Sequence, residues 1–312
     1  MALDRGTEHD QNGHQLYNLC DGSWARRVEV GRIGAVHLYN VRCQHEMTWV
    51  VAGNGAIYPF IAGDVRVTFC SDDGQRTERD CLQKIHPLTR NILGGFAGSV
   101  RAGFFLLQVI RRQMYEEHWY SLPKITRRWM TRLMRRAFAD LPANERSAGS
   151  QWIMVGAHPD LTRGPFKIPR AHTYRFSSPT FEPEETIGVE CLGIGSGDTV
   201  VQYRDAASQL SKDFVLHQTS TMGLKWPAHT MAATLHSTVS GAPMPGISPY
   251  FLYGSVSLTE VLIEAFEYEE RRPEGTRLHR LPPIARTYDE FIKYCGSEGL
   301  SAEAAIASRY DT

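Results

Sequence analysis

The sequence predicts an α+β fold, because its hydrophobic pattern changes period several times along the chain. Short apolar runs typical of strands lie between residues 49 and 93, and apolar residues at helical spacing follow Gly98. Strand-like sequence returns at Gln151, and helical sequence returns after the turn at Gly195. The resulting order is strands, two helices, strands, two helices and a final strand.

The composition indicates a globular protein that is not organised around charge or metal binding. At 312 residues, the chain fits one large domain with tails. Lys+Arg and Asp+Glu both number 34, so no net field favours nucleic acid or an anionic membrane. The six cysteines include no CxxC pair, which argues against a zinc site or a disulfide framework. The sequence has no apolar run of about 18 residues and no signal-peptide core, so we expect a cytoplasmic protein.

Residues 1–47 differ from the rest of the chain, being rich in polar residues and glycine. Three interpretations stay open: a propeptide, a stable extension, or upstream sequence that is not part of the mature protein. Met47-Thr48 is itself a sensible start, because methionine aminopeptidase removes Met before a small residue such as Thr. We expect a main domain at residues 48–257 and a partly helical, charged tail at residues 258–312.

The first strands are predicted at residues 49–51 and 57–62, joined by a turn at Gly53-Asn54-Gly55 that favours a hairpin. Residues 65–69 continue the strand pattern. A short buried strand at residues 92–93 is expected to end in a turn at Gly94-Gly95.

Two helices are predicted next. In the first, apolar side chains share one face; in the second, which follows Pro123, apolar residues recur every four positions up to Pro142. The apolar residues are Phe104, Leu107, Ile110 and Met114 in the first helix and Ile125, Trp129, Leu133 and Ala137 in the second. The arginines on the other faces of the second helix are consistent with a solvated surface or with an acidic partner.

The second half is predicted to contain a strand at 151–157, a loop-rich insert to about 185 and a strand at 189–194 that enters Gly195-Ser196-Gly197. Helices follow at 200–210 and 227–239, and a last strand at 250–256. The tail is expected to be helical at 288–294 and 302–308.

Four residues in the first part of this pattern carry a resemblance to a known superfamily. Thr48, Asp64, Lys84 and Gly95 occur in the order and approximate spacing of the proteasome-type N-terminal nucleophile (threonine) peptidases. The chain most resembles bacterial HslV-like peptidases and bacterial proteasome-homologue β subunits. The matching features are Ala-Gly-Asp at a strand end, a lysine before a β-branched residue, and Gly-Phe-Ala-Gly at residues 95–98. The resemblance covers residues 48–257 and implies a four-layer αββα sandwich of the N-terminal nucleophile hydrolase type.

The resemblance also assigns catalytic roles, and chemistry explains them. A threonine hydroxyl needs a nearby base, which a free α-amine with a pKa of about 7.7–8.0 supplies when Thr48 is the first residue. Lys84 would favour the deprotonated hydroxyl, Asp64 would hold Lys84, and the Gly95 N–H would stabilise the oxyanion. Each residue also fits an ordinary role, as a strand threonine, a structural ion pair or a turn glycine. We expect Lys84→Ala to abolish turnover while leaving the fold intact.

One departure from the family pattern concerns the end of the late helix. Family members carry an aspartate there, followed three residues later by a Ser-Gly pair that supports the terminal amine. Ser240-Gly241 matches that pair, which makes Ser240 a candidate site residue, but Ser237 occupies the aspartate position. A serine contributes no charge to the amine.

The resemblance places Leu93 in the pocket for the P1 side chain, and Val67 and Leu82 are candidates for its wall. An aliphatic pocket favours apolar P1 residues, since burying a Leu or Phe gains roughly 1.5–3 kcal/mol.

The expected function is that of a threonine-type endopeptidase subunit in homo-oligomeric stacked rings that act on proteins or peptides. Peptide hydrolysis by this mechanism needs no cofactor or metal. ATP would enter only through a partner AAA+ unfoldase. Two alternatives remain: a catalytically silent ring or scaffold subunit, and a small-amide hydrolase with the same nucleophile. Neither nucleic acid nor a membrane is expected as a partner.

Overall fold

The computed structural model describes residues 48–54, 58–70, 75–115, 117–159, 169–186, 190–216, 223–273, 275–302 and 305–306. The prediction for residues 1–47 lies outside the described residues, and so does Gly55 of the predicted turn. Gly53 and Asn54 are not turn residues, because they belong to the strand Val50–Asn54 and pair with Phe60 and Pro59. Within the described ranges the protein has a mixed structure of antiparallel sheets and helices, which agrees with the predicted α+β class.

The strands are β1 Val50–Asn54, β2 Pro59–Asp64, β3 Arg66–Cys70, β4 Arg76–Asp80, β5 Ile85–Thr89, β6 Ile92–Gly98, β7 Ser150–Pro159, β8 Pro169–Ser177, β9 Glu184–Glu185, β10 Cys191–Ile194, β11 Phe251–Val256, β12 Val261–Ala265, β13 Tyr268–Arg272, β14 Gly275–His279 and β15 Ala305–Ile306. The helices are α1 Val100–Gln113, α2 Leu122–Ile125, α3 Thr131–Ala139, α4 Ala143–Ser147, α5 Val201–Leu216, α6 Trp226–Gly241 and α7 Tyr288–Glu298. A π-helical turn, Thr126–Met130, joins α2 to α3, and a 3₁₀ turn, Ser196–Thr199, precedes α5.

Two five-stranded antiparallel sheets form the centre of the molecule. We call them the β1 sheet, with strand order β10-β1-β2-β11-β12, and the β6 sheet, with order β5-β6-β7-β8-β9. Two smaller sheets, β15-β3-β4 and β13-β14, complete the described strands. The chain that carries the candidate site residues therefore crosses from the β1 sheet, through β3 and β4, into the β6 sheet.

Buried apolar side chains form three clusters. The central cluster joins the facing surfaces of the two large sheets, with Val50 and Ile61 from one and Ile85, Leu93 and Ile153 from the other. A second cluster places α1, the π-helical turn and α3 against the β6 sheet and also contains residues of α7. A third places α5 and α6 against the β1 sheet.

The predicted turn at Gly94-Gly95 is wrong, because both glycines lie inside β6. A Cβ atom on Gly95 would lie 3.0 Å from both Val50 Cγ1 and Ile61 Cδ1, which belong to the β1 sheet. The glycine thus marks a position where the two sheets pack too closely for a side chain. Composition alone does not distinguish this use of glycine from a turn.

Three further predictions differ from the structure. The insert predicted as loop-rich contains β8, which pairs along nine residues with β7. Within the helix predicted at 302–308, the described residues Ala305 and Ile306 form β15, which pairs with β3. The strand predicted to be the last is followed by β12, which extends the same sheet beyond residue 257. In all three cases, hydrogen bonding to a partner strand outweighs the local pattern.

No helix in the described ranges is long and apolar enough to cross a membrane.

Candidate active site

Thr48 lies immediately before β1, and the pairing of β1 with β2 brings it to Asp64. The Trp49 N–H donates to Asp64 Oδ2 at 2.7 Å, and the Asp64 N–H donates back to the Trp49 carbonyl at 3.0 Å. The Trp49 ring stacks on Tyr203 of α5 with the ring centroids 4.8 Å apart. The end of the strand that carries Thr48 is therefore fixed by hydrogen bonds within the β1 sheet and by packing against a helix.

Asp64 is fully buried, and both of its carboxylate oxygens accept hydrogen bonds. Oδ1 accepts the Arg66 N–H at 3.0 Å and forms an ion pair with Lys84 Nζ. With Oδ2 bonded to Trp49, the carboxylate has partners from two backbone amides and one ammonium group. Buried carboxylates in proteins require such compensation.

Lys84 lies between β4 and β5, and its side chain points into the same buried space. Its Nζ donates to Thr48 Oγ1 at 3.0 Å as well as pairing with Asp64. The side chains of Lys84 and Asp64 have no exposed surface. The structure therefore brings together Thr48, Asp64 and Lys84, three residues separated by up to 36 positions in sequence.

Burial changes the pKa of both charged groups. It lowers the pKa of Lys84, and the Asp64 carboxylate acts in the opposite direction. Burial likewise raises the pKa of Asp64, and this is opposed first by the charge of Lys84 and then by its hydrogen bond. Because desolvation is the largest cause for Lys84, its neutral form becomes accessible closer to neutral pH than for an exposed lysine.

Sequence reasoning missed Ser196. The Thr48 N–H donates to Ser196 Oγ at 3.2 Å, and the Gly197 N–H donates to the Thr48 carbonyl at 3.0 Å. Gly195 has φ +83°, and a Cβ atom there would lie 2.2 Å from the Thr48 carbonyl oxygen. The turn at residues 195–197 thus holds the Thr48 backbone. The Gly-Ser-Gly motif that we noted in the sequence was the signal available for this contact.

Two side chains of the β6 sheet hold that turn in place. Gln151 Oε1 accepts the Gly195 N–H at 2.8 Å. Arg175 donates from one guanidinium nitrogen to the Gly193 carbonyl at 3.0 Å and to Asp198 Oδ2 at 3.1 Å. The position of Thr48 therefore depends on contacts between the two large sheets.

The structure does not place the Gly95 N–H at Thr48. The Phe96 N–H donates to the Lys84 carbonyl at 3.1 Å, so it points towards the β5 side of β6. Successive N–H groups of an antiparallel strand point to opposite sides, which directs the Gly95 N–H towards its β7 partner Ile153. This direction does not support an oxyanion role for the Gly95 N–H, and that role stays a prediction from the sequence resemblance.

Ser240 is also separate from the three clustered residues. It is exposed near the end of α6, and the partner of its hydroxyl is His236 Nε2 at 3.5 Å. Ser237, at the position of the family's aspartate, is exposed as well. Within the described parts of the chain, the hydroxyl that accepts the Thr48 N–H is that of Ser196.

The predicted P1 pocket is not present as such. Leu93, Val67 and Leu82 have no exposed surface. Leu93 belongs to the cluster between the large sheets, whereas Val67 and Leu82 belong to the cluster with α1 and α7. The three residues therefore do not line one pocket, and the expected preference for apolar P1 residues loses its structural basis.

No group of three or more His, Cys, Asp or Glu residues in the described ranges is placed to hold a metal ion. The Thr48 cluster supplies a hydroxyl, an amine and a carboxylate, which is a donor set for proton transfer.

No family model matches this chain, and no curated protein shows significant sequence similarity to it.

Proposed function

We propose that this protein is a threonine-type peptidase in which Thr48, as the first residue of the mature chain, is the nucleophile. The observation that carries the proposal is the 3.0 Å approach of Lys84 Nζ to Thr48 Oγ1. A lysine wholly removed from water is costly, even when it is paired with a carboxylate. Its direction towards a hydroxyl is consistent with a chemical role for that hydroxyl.

The proposed reaction forms and then hydrolyses an ester. Thr48 Oγ1 attacks the peptide carbonyl, and its proton passes to a neutral amine, either Lys84 Nζ or the freed α-amine of Thr48. Collapse of the tetrahedral intermediate breaks the C–N bond, and the departing amine takes up that proton. Water then attacks the ester, releases the carboxylic acid and restores the Thr48 hydroxyl. Asp64 holds Lys84, and Ser196 Oγ orients the Thr48 nitrogen.

The packing clusters support the finer description of the fold. Helices α1 and α3 contact one side of the β6 sheet, the two large sheets face each other, and α5 and α6 contact the β1 sheet. We propose that this arrangement is the four-layer αββα sandwich of the N-terminal nucleophile hydrolases. Assembly into homo-oligomeric rings and service by an AAA+ unfoldase are proposals that rest on the sequence resemblance.

One observation favours the alternative of a catalytically silent ring or scaffold subunit. The exposed Ser237 occupies the position where family members carry a carboxylate that supports the terminal amine. The small-amide hydrolase uses the same cluster and differs from the peptidase only in its substrate.

Intact mass and activity, measured on the same sample, test the proposal. We expect natively expressed protein to begin at Thr48 and to cleave fluorogenic peptides. Thr48→Ser should retain measurable turnover because it keeps the hydroxyl, whereas Thr48→Ala should have none. Active protein that still begins at Met1 would rule out the proposed amine. A correctly processed but inactive protein would indicate the silent subunit, and turnover of small amides alone would indicate the third function.

A further inference from the structure

The backbone that leads into Lys84 is held on both sides. On one side, the N–H groups of Cys81 and Leu82 both donate to the Val65 carbonyl at 3.0 Å. Val65 directly follows Asp64, the residue that pairs with Lys84. These hydrogen bonds therefore hold the backbone before Lys84 beside the backbone of Asp64.

On the other side, the contact comes from the C-terminal part of the chain. The Ala285 N–H donates to the Cys81 carbonyl at 2.7 Å, and the Ala285 carbonyl accepts the Gln83 N–H at 2.9 Å. These two bonds form a parallel bridge between Leu82 and Ala285. Two hydrogen bonds to one residue thus fix the peptide units on both sides of Leu82, two residues before Lys84.

The contact belongs to a well-packed element, which we call the strap: residues 281–298, including α7. Side chains hold the start of its helix, because the N-cap Thr287 Oγ1 accepts the Glu290 N–H at 3.2 Å and Glu290 Oε2 accepts the N–H of the preceding Arg286 at 2.7 Å. Phe291 is fully buried and stacks on Phe69 of β3 with ring centroids 6.0 Å apart. The strap is therefore attached to the core by side chains and reaches the Lys84 segment with its backbone.

Contacts made by Gln83 carry this constraint to Lys84. Gln83 Nε2 donates to the Ile85 carbonyl at 2.8 Å, and the Gln83 carbonyl is 2.9 Å from the ring nitrogen Nε2 of buried His86. With the Lys84 carbonyl bonded to Phe96, the backbone is held immediately before and after the lysine.

We propose that the strap is a positioning element for Lys84, which acts through the two Ala285 hydrogen bonds to set the approach of Lys84 Nζ to Thr48 Oγ1. The inference rests on the proposed function and deepens it. The strap lies in the tail beyond residue 257, outside the part of the chain that carries the family resemblance. An element more than 200 residues from Thr48 and Asp64 in sequence thereby becomes a determinant of turnover.

The test is a pair of substitutions at Ala285. Ala285→Pro removes the N–H that donates to Cys81, whereas Ala285→Gly keeps both backbone bonds. In mature protein we expect Ala285→Pro to lower kcat about ten- to hundredfold with KM within about twofold, because small displacements of catalytic groups have effects of this size. Ala285→Gly should retain the wild-type kcat. Leu122→Ala, a buried substitution in α2, controls for a general loss of stability and should leave kcat unchanged.

A second readout does not depend on activity. The Phe96 amide donates to the Lys84 carbonyl, so its hydrogen exchange reports whether the Lys84 backbone has moved. We expect at least tenfold faster exchange in Ala285→Pro and unchanged exchange in Ala285→Gly. If the proline variant does not fold, Phe291→Ala, which releases the strap from β3, is judged by the same criteria.

The outcomes separate this inference from the proposed function. Unchanged kcat and unchanged exchange in Ala285→Pro would overturn the strap inference while leaving the peptidase proposal in place. Inactive, correctly processed wild-type protein would overturn the peptidase proposal, and the exchange measurement would still decide whether the strap positions Lys84. An equal loss of kcat in Leu122→Ala would mean that stability alone explains the effect, which also overturns the inference.

Discussion

Replacement of Lys84 by Met is the most informative perturbation, because it removes the charge while keeping much of the side-chain length. The sequence-based expectation was that loss of Lys84 would leave the fold intact. In the structure, however, Lys84 and Asp64 have no exposed side-chain surface. Removing one partner of such a pair costs about 3–5 kcal/mol, since the other charge stays buried and uncompensated. Against a typical total stability of about 5–15 kcal/mol, this loss is large.

The loss should depend on pH in a defined direction. Burial raises the pKa of Asp64, and without Lys84 its main opposing influence is gone. Between the unfolded-state pKa of about 3.9 and the raised native pKa, the native state then binds more protons than the unfolded state. The free energy of unfolding of Lys84→Met therefore falls by up to about 1.4 kcal/mol per pH unit as pH rises through this window. The variant should be closest to wild type near pH 4.

The assay is urea unfolding followed by circular dichroism at pH 4.5 and pH 7.5, alongside peptide turnover. The double variant Lys84→Met/Asp64→Asn removes both charges and should regain much of the stability lost by Lys84→Met at pH 7.5, with no turnover. Equal stability of Lys84→Met and wild type at both pH values would refute the buried pair. A folded Lys84→Met variant with wild-type turnover would show that Lys84 has only a structural role.

Three further predictions concern the same region. Gly195→Ala should destabilise the protein by more than about 1–2 kcal/mol and abolish turnover, because φ is +83° and the Thr48 carbonyl leaves no room for a Cβ. Gly241→Ala is the matched control, since a Cβ on Gly241 would have no atom within 4 Å. Similar unfolding midpoints for the two variants would contradict the geometry. Burial lowers the pKa of His86 to about 3, so the unfolded state takes up a proton below about pH 6.5 while the native state does not. The free energy of unfolding of the wild type should therefore fall by about 1.4 kcal/mol per pH unit as pH falls below about 6.5. In urea unfolding, His86→Gln should show a weaker dependence of this free energy on pH, and an equal dependence would be evidence against a neutral buried ring. With neutral Lys84 Nζ as the base, kcat/KM should rise as pH rises through the pKa of Lys84. Asp64→Asn should move this rise to lower pH, because Asp64 raises the pKa of Lys84. A shift to higher pH in the measured profile would mean that another group controls the rise.

The sequence by itself determined the elements whose residues contact one another locally. Helices α1 and α3 follow from apolar positions at helical spacing, and β1, β2 and β7 follow from short apolar runs. The resemblance to the N-terminal nucleophile hydrolases predicted that Thr48, Asp64 and Lys84 lie together, and the structure brings their side chains into contact. The helices and strands needed only the pattern of residues in one segment, whereas this prediction needed the family resemblance.

Tertiary structure decided the features that depend on partners distant in sequence. Gly95 is a close-packed strand residue because the β1 sheet approaches it, and β15 is a strand because β3 supplies its hydrogen bonds. The burial of Leu93 between two sheets, the contact of Ser196 with Thr48 across 148 residues and the hold of Ala285 on the Lys84 segment have the same origin. The period of apolar residues and the composition describe one segment at a time. A buried backbone N–H or C=O group must find a hydrogen-bond partner, and the packing of the core decides which strand or loop supplies it.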